Sequence, residues 1–309
     1  FLVFYEILNI GMFYIRLDGS PNYAMMCNAT AAILNILLDY IFIFEFGWGM
    51  MGAAFATSLG TVVGGLMTLV YLMHYSHDLR LYRIKLSRKS LRMTFRNIGY
   101  MVKLGNSAFV SEASIACMMF LGNYVFIRNL GEDGVAAFSI VCYFFPIIFM
   151  VYNAIAQSAQ PIISYNFGAG QPERVRKALR LSLRTALICG ICFFILTTLC
   201  CRNIVALFID RSYSAFDIAV NGIPYFGIGF IFFAINMIGI GYYQSIERGQ
   251  RATIITLLRG VVFMLIGFFV LPPILGVPGI WLAVPSAELL TTLYIIGIYF
   301  KDRFIVRRR

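Results

Sequence analysis

The sequence predicts an all-α protein that crosses a membrane many times. Of its 309 residues 60% are hydrophobic and only 13% are charged, and the mean hydropathy is +0.81. Soluble domains carry about 25% charged residues. Apolar runs of about 20 residues, the length that a helix needs to cross the hydrocarbon of a bilayer, recur along the whole chain. Because a backbone inside lipid must satisfy its own hydrogen bonds, we expect these runs to be helices.

Nine apolar segments divide the chain, and short turns rich in Gly, Pro, Asn and Asp separate them. The segments are residues 1–15, 22–45, 51–73, 104–127, 134–163, 179–201, 217–245, 252–272 and 279–300. Most are long enough to span a bilayer, and the first is expected to be the end of a longer span. The sequence therefore predicts nine spans.

The distribution of basic residues predicts the orientation of these spans. If the first segment ends inside at Arg16, all but three of the 25 Lys and Arg residues fall on the same side. The exceptions are Arg128, Arg202 and Arg211. The positive-inside rule makes the basic side cytoplasmic, and the C-terminus with it. The net charge of +11 is therefore expected to face anionic lipid headgroups and not nucleic acid.

An internal repeat predicts the architecture. Residues 26–72 align with residues 253–299, so that Gly49 pairs with Gly276. Spans one to three match spans seven to nine in order and direction, whereas spans four to six have no counterpart. We therefore expect two helical bundles, six plus six spans when complete, related by a pseudo-two-fold axis along the membrane normal. Three further spans are expected before Phe1.

This architecture divides the chain into four regions. They are 1–73, the last three spans of the N-terminal bundle; 74–103, a basic cytoplasmic linker; 104–300, a six-span C-terminal bundle; and 301–309, a basic cytoplasmic tail. In the linker, Leu91, Phe95, Ile98 and Val102 recur at helical spacing among basic residues. This pattern predicts an amphipathic helix in the membrane interface, and a solvated charged linker is the alternative.

The most informative stretch is residues 33–57, where an apolar helix, the turn FGWG and a second apolar helix follow one another. Asn35 and Asp39 are four residues apart and so share a helical face. Thr57 lies about as far beyond the turn as Asp39 lies before it. At the rise of an α-helix both would sit about 10 Å below the same membrane rim. An ionisable group at such a depth is a functional hypothesis by default.

Other polar residues also fall inside the predicted spans. They are the acids Glu6, Glu112 and Glu288 and the neutral residues Gln157 and Asn236, which we regard as candidate polar groups of a cavity. The sequence shows no Lys or Arg that we expect inside the spans as a partner. This favours loading of the acids with H⁺ or a metal cation over a static salt bridge. The alternative is that these groups only hydrogen-bond to neighbouring helices.

Signatures of enzymes are absent from the sequence. Its two histidines, His74 and His77, lie in the linker, and there is neither an HExxH nor a Walker A motif. The CGIC sequence at 189–192 lies in an apolar segment and is interpreted as packing. We therefore predict no enzyme activity and no cofactor. A receptor, an intramembrane enzyme or a non-transporting scaffold remain rival classes, and the first two would need convergent ligand clusters.

Three segments resemble one known family of membrane proteins. They are AIAQSAQPIISYNFGAGQPERVRKA at 154–178, LNILLDYIFIF at 34–44 followed by GAAFATSL at 52–59, and KLGNSAFVSEASIACMMFLGN at 103–123. They are similar to the multidrug and toxic compound extrusion (MATE) transporters, in particular to the DinF-like and MepA-like bacterial branch. The resemblance implies two six-helix bundles facing a central cavity. It also implies an antiporter that expels amphipathic, often cationic compounds in exchange for H⁺ or Na⁺ by alternating access.

The resemblance assigns roles to individual residues. It implies that Asn35, Asp39 and Thr57 form a coupling site of the N-terminal bundle and that Glu112 is an acidic cation-site residue, with Na⁺ at Asp39 or at Glu112 if the ion is a metal. Asn236 stands about where the NorM-like branch has an aspartate, so this sequence departs from the family pattern for an Na⁺ site of that form. The expected upstream spans would hold an aspartate partner of Asp39.

The resemblance also bears on partners and location. We expect a multi-pass, monomeric protein of the bacterial inner membrane that contacts lipid and small amphipathic or cationic molecules, and no nucleic acid. A flippase for lipid-linked oligosaccharides, from the same superfamily, is the alternative function. It would call for a more cationic cavity than the expected distribution of basic residues provides.

Overall fold

The computed structural model of the protein describes residues 1–76 and 87–307, with side chains described as far as Lys301. Regular structure in these residues is entirely helical, as the composition predicts. The chain divides into two compact units, Phe1–Leu91 and Arg92–Arg309, which we call unit 1 and unit 2. The division falls inside the predicted linker.

Unit 1 is built on three helices. They are α1 (Leu2–Leu17), α2 (Pro21–Tyr40) and α3 (Gly49–Val70). A π-helical turn continues α2 over Ile41–Glu45, and another continues α3 over Tyr71–Tyr75. Pro21 opens α2, where its missing N–H removes no helical hydrogen bond. Both α1 and α2 pack against α3, so α3 is the central helix of the unit.

The turn between α2 and α3 allows a tight antiparallel hairpin. Gly47 and Gly49 have φ angles of +65° and +54°, a conformation that side chains with a Cβ rarely adopt. Between them, the Trp48 ring stacks on Phe42 with centroids 5.1 Å apart. Further along the hairpin, Gly60 of α3 lies so close to α2 that a Cβ would stand 2.6 Å from the carbonyl oxygen of Ala31. Because Gly60 has no Cβ, α3 can approach α2 at this short distance.

Unit 2 contains the remaining helices. They are α4 (Arg88–Gly168, whose first residues precede the division), α5 (Pro172–Leu199), α6 (Cys201–Ala206), α7 (Ser214–Gly227), α8 (Gly229–Ser245), α9 (Gly249–Leu257), α10 (Phe263–Leu275) and α11 (Val277–Arg307). A π-helical turn, Leu258–Val262, joins α9 to α10. Within α4 the backbone breaks at Gly131, whose φ of 68° and ψ of −157° are not helical. The two arms of α4 on either side of this break correspond to the predicted segments 104–127 and 134–163.

Aromatic side chains fill the core of unit 2. Phe126 and Phe138, one on each arm of α4, stack with centroids 4.6 Å apart. Trp281 of α11 meets Phe126 edge-on at 4.7 Å and is 1% exposed. Helix α8 packs between α5 and α11, and α10 packs along α11. This packing buries α8 more completely than a lipid-facing helix would be, and it places polar residues of α8 next to α11.

The number of spans stays a prediction. Six helices of the described residues are long and apolar enough to cross a membrane, or seven if α7 and α8, bent by 42° at their junction, count as one. Helix α1 has only 16 residues, and α4 counts as one helix although it contains two predicted spans. Each of the nine apolar segments nevertheless coincides with helical structure.

The predicted amphipathic helix of the linker lies only partly in the described residues, which omit 77–86 and with them His77. From Arg88 onward the linker forms the first turns of α4. The four apolar residues of the pattern are exposed there, namely Leu91, Phe95, Ile98 and Val102. The helix therefore presents an apolar surface at this end, and its position in a membrane interface remains a prediction.

Candidate functional site

The hairpin of α2 and α3 brings together the three residues that the sequence singled out in unit 1. The side-chain amide of Asn35 donates to Asp39 Oδ2 at 3.1 Å, within one turn of α2. The same Nδ2 donates to Thr57 Oγ1 on α3 at 3.3 Å. The Thr57 hydroxyl donates its proton to the carbonyl oxygen of Ala53 at 2.9 Å, and its oxygen can therefore accept the hydrogen bond from Asn35. Asn35 therefore links the carboxylate of one helix to the hydroxyl of the other.

The carboxylate of Asp39 is only half satisfied. Asp39 is half-buried, and its Oδ2 accepts a hydrogen bond from the side-chain amide of Asn35. Oδ1 is buried and has no hydrogen-bond partner. None of the described Lys or Arg side chains forms an ion pair with Asp39. A buried acceptor without a hydrogen-bond partner costs free energy, and binding of a proton or a small hard cation would satisfy it.

Unit 2 contains a buried polar network that includes two other predicted residues. Glu288 of α11 accepts at Oε2 from Asn236 Nδ2 of α8, 2.6 Å away, and at Oε1 from Arg259 Nε, also 2.6 Å away. Asn236 Oδ1 in turn accepts from the Thr292 hydroxyl at 2.9 Å. The side chains of Arg259 and Glu288 are each only 4% exposed. The network is thus a buried ion pair with its polar neighbours satisfied.

This ion pair corrects the sequence-based expectation that no basic residue inside the spans would pair with an acid. Arg259 was assigned to the cytoplasmic side with the other arginines that follow the seventh segment. The structure instead places it in the π-helical turn between α9 and α10, 3% exposed. Its position seven residues into the apolar segment 252–272 was the available signal. The expectation of an unpaired acid is therefore wrong for Glu288, and it stands for Asp39 within the described residues.

The other predicted polar residues are not brought together. Glu6 on α1 and Glu112 on α4 are exposed on the surfaces of their own units, and Gln157 is half-buried. Neither acid is therefore buried by the residues of its own unit. The described residues contain no cluster of three or more His, Cys, Asp or Glu side chains that could hold a metal ion.

A second polar chain in unit 2 was missed by the sequence analysis. Gln160 Nε2 donates to Gln244 Oε1 at 2.7 Å, and Gln244 Nε2 donates to Ser107 Oγ at 2.8 Å. The chain links both arms of α4 to α8. Gln160 lies three residues beyond the predicted Gln157, almost one helical turn away, so composition indicated the right region but not the residue.

Sequence comparison identifies the class of protein to which this helical architecture belongs. The sequence model of the MatE family matches residues 107–277, which is more than half of the chain. The chain therefore belongs to the MatE family, and the resemblance described from its motifs is confirmed.

Individual relatives are described as multidrug export proteins. The chain is 26% identical over 304 residues to the multidrug export protein MepA of Staphylococcus aureus (strain bovine RF122 / ET3-1), covering 95% of this chain and 63% of that protein. It is 25% identical over 301 residues to MepA of Staphylococcus saprophyticus, with the same coverage. The chain thus spans 63% of the length of these curated relatives. They are export proteins and not enzymes, in agreement with the prediction.

Solved structures share the fold. A multidrug resistance MATE family transporter of the MOP superfamily, in an outward-facing conformation, matches 98% of this chain and 67% of its own, with a TM-score of 0.86 at 22% identity. A MOP superfamily transporter from Pyrococcus furiosus matches with a TM-score of 0.85 at 21% identity. The predicted polytopic helical fold is therefore confirmed.

Proposed function

We propose that the protein containing this chain is a secondary active efflux transporter. It exchanges amphipathic, often cationic compounds for H⁺ or Na⁺ by alternating access, and Asn35, Asp39 and Thr57 form its coupling site in unit 1. Support comes from the MatE family membership and from relatives named multidrug export proteins. The observation that carries the coupling site is the buried Oδ1 of Asp39, which lacks a partner.

The geometry suggests how an ion would act at this site. A proton or Na⁺ that binds Asp39 cancels its charge and satisfies Oδ1. The bond from Asn35 to Oδ2 then weakens, because an ionised acceptor makes the stronger hydrogen bond. Asn35 is also bonded to Thr57 on α3, so the charge of Asp39 affects the contact between the two helices of the hairpin. A neutral site would also hold a cationic compound less tightly, which links ion binding to release of the exported compound.

Glu112 is proposed as a second acid that takes part in coupling, from unit 2. It is exposed on α4, and the described residues provide no hydrogen bond or ion pair to its carboxylate. An acid without a partner is free to bind H⁺ or Na⁺, as proposed for Asp39. Gln157 is proposed only as a polar group that contacts exported compounds.

A flippase for lipid-linked oligosaccharides is less well supported. Such a substrate carries phosphate groups and calls for cationic side chains along its path. Arg259, in the π-helical turn between α9 and α10, is a buried basic residue. Its charge is neutralised by Glu288, with Nε 2.6 Å from Oε1. The pair therefore adds no net positive charge.

The coupling site is tested by replacing Asp39 with Asn in the full-length protein. Asp39→Asn keeps the volume but cannot bind a proton or Na⁺ as a carboxylate does. We expect the dependence of dye efflux on the ion gradient to fall by about 5- to 150-fold, the usual range of coupling between two ligand sites. The measurement is dye accumulation in cells with and without an uncoupler. Unchanged gradient-dependent efflux would contradict the proposal.

Glu45→Gln provides the matched control. Glu45 ends the π-helical turn that continues α2, and it is an exposed acid of the same unit. Its replacement removes the same charge from the same helix without touching the coupling site. We expect wild-type efflux and wild-type gradient dependence.

A further inference from the structure

The carboxylate of Glu288 differs from that of Asp39 in having no free acceptor. Its Oε1 accepts from Arg259 Nε and its Oε2 from Asn236 Nδ2, both at 2.6 Å. Asn236 also donates to the main-chain oxygen of Glu288 at 2.8 Å, which fixes the amide in place. Both oxygens of this acid are thus occupied by donors that belong to the protein, one of them positively charged.

The surroundings of Arg259 hold its charge in place. The guanidinium lies over the ring of Phe233, 4.3 Å from the centroid, in the geometry of a cation–π contact. Its Nη1 is 3.8 Å from the sulfur of Met237. Because a guanidinium stays protonated in proteins and this one is buried, its charge needs a permanent anion nearby. Glu288 is that anion.

In the predicted repeat alignment, this pair has no counterpart in unit 1. In the alignment of residues 26–72 with residues 253–299, Arg259 corresponds to Ala32 and Glu288 to Thr61. The first repeat therefore has no built-in cation at this place, and its own acid, Asp39, has an unsatisfied oxygen. Asp39 itself corresponds to Ile266, so the two acids stand at different positions of the aligned segments, and only Glu288 is paired with an arginine.

We propose that Arg259 is the permanent counter-cation of Glu288 and prevents this acid from binding a coupling ion during transport. The inference rests on the antiport function proposed above and deepens it, since it assigns Arg259 as a positioning residue that determines how many ions are coupled. Glu288 stays paired with Arg259 throughout the cycle, and coupling ions bind at acids without a fixed cation.

Few other ionisable groups bear on Glu288. Arg259 approaches it from the π-helical turn, and Asn236, which does not titrate, approaches it from α8. Tyr152 of α4 lies in the aromatic core of unit 2, and its hydroxyl donates to the carbonyl oxygen of Phe230 at 3.0 Å and not to Glu288. Among the described residues, Arg259 is therefore the charged group in contact with the Glu288 carboxylate.

The experiment uses purified full-length protein and infrared difference spectroscopy as pH is lowered. Any C=O stretch of a protonated carboxylic acid in the wild-type spectrum should also be present in the spectrum of Glu288→Gln. In other words, we expect no band that comes from Glu288 itself. In Arg259→Met, Glu288 loses its cation and takes a proton from solvent. A new carboxylic acid band is then expected, together with one additional proton taken up per molecule. Both should be absent from the double variant Arg259→Met/Glu288→Gln.

A Glu288-dependent band in the wild type would overturn the inference, and so would a folded Arg259→Met protein without a new band. If Arg259→Met does not fold, the double variant decides, because it removes both buried charges together. It is expected to fold and to keep the wild-type ratio of ions to exported compound, and a folded double variant with a changed ratio would contradict the inference. If neither variant folds, the comparison of the wild-type spectrum with that of Glu288→Gln decides.

The infrared measurement separates this inference from the proposed function. It requires no transport, so it can succeed even if Asp39→Asn leaves efflux unchanged. Conversely, loss of coupling in Asp39→Asn together with a Glu288 band in the wild type would support antiport and reject the role of Arg259.

Discussion

At the scale of single residues, the fate of a buried acid depends on how its two oxygens are satisfied. Asp39 has one oxygen bonded to Asn35 and one without a partner, whereas both oxygens of Glu288 receive donors. The sequence predicted the first arrangement because Asn35 and Asp39 are four residues apart on one helix. It could not predict the second, because Arg259 and Glu288 are 29 residues apart and meet only when two helices pack.

The hydroxyl of Thr57 provides a prediction at this scale. Thr57→Val keeps the shape of the side chain but removes the oxygen that accepts from Asn35 at 3.3 Å. Loss of one hydrogen bond in the coupling site is worth about 0.5–1.5 kcal/mol. We therefore expect ion affinity to fall about 2- to 12-fold, with little change in thermal stability because Thr57 is exposed on unit 1. The measurement is the ion concentration for half-maximal efflux.

Thr61→Val is the control for this prediction. Thr61 lies one turn further along α3, and its hydroxyl donates to the main-chain oxygen of Thr57 at 2.8 Å. Its side chain makes no hydrogen bond to Asn35 or Asp39. An equal loss of ion affinity in both variants would show that the effect comes from helix α3 and not from the Thr57 oxygen.

At the scale of elements, the close packing of α2 on α3 holds the candidate site together. Asn35 and Asp39 lie on one helix and Thr57 on the other, so the site exists only at a short helix separation. Gly60 permits that separation, since a Cβ there would approach the Ala31 carbonyl oxygen at 2.6 Å and the Cβ of Asn35 at 3.3 Å. The glycine is visible in the sequence, but only the packing of the two helices decides which main-chain atom it contacts.

Gly60→Ala is therefore expected to push α2 away from α3. A backbone oxygen cannot move aside as the end of a flexible side chain can, and overpacking of this kind typically lowers stability by about 1–3 kcal/mol. We expect a lower melting temperature together with weaker ion coupling, because the bond from Asn35 to Thr57 lengthens. The measurements are thermal unfolding in detergent and gradient-dependent efflux.

Gly297→Ala on α11 is the matched control, because no atom lies within 4 Å of the Cβ it would add. Its alanine is compatible with the helix and is expected to leave both quantities unchanged or slightly improve stability. If Gly60→Ala behaves like Gly297→Ala, close packing of the hairpin is not what holds the site.

At the scale of the whole molecule, the chain consists of two compact units, and the predicted linker contains the division between them. Hydropathy predicted helices at nine segments, the repeat predicted two bundles, and the family model shows that the chain belongs to the MatE family. Burial of Arg259 removes one residue from the cytoplasmic charge count, which leaves the positive-inside bias strong. The orientation is therefore still predicted with a cytoplasmic C-terminus.

Orientation is tested with single cysteines in a variant that lacks the seven native ones. A cysteine at Lys301, near the C-terminal end of α11, should react with a membrane-impermeant maleimide only after the cells are opened. A cysteine at Ser212, between α6 and α7, should react in intact cells. Labelling of the Lys301 position in intact cells would reverse the predicted topology.

The sequence by itself determined the features that arise within one segment of chain. These are the apolar helices, the hairpin turn at FGWG, the shared face of Asn35 and Asp39 and the excess of basic residues on one side. The tertiary structure decided that Glu288 forms an ion pair with Arg259 and that Gln160 hydrogen-bonds to Gln244. These features depend on the rotation of each helix about its axis, which is set by contacts among residues far apart in sequence. For that reason Arg259 could be counted as a cytoplasmic charge from the sequence and only the packed helices place it beside Glu288.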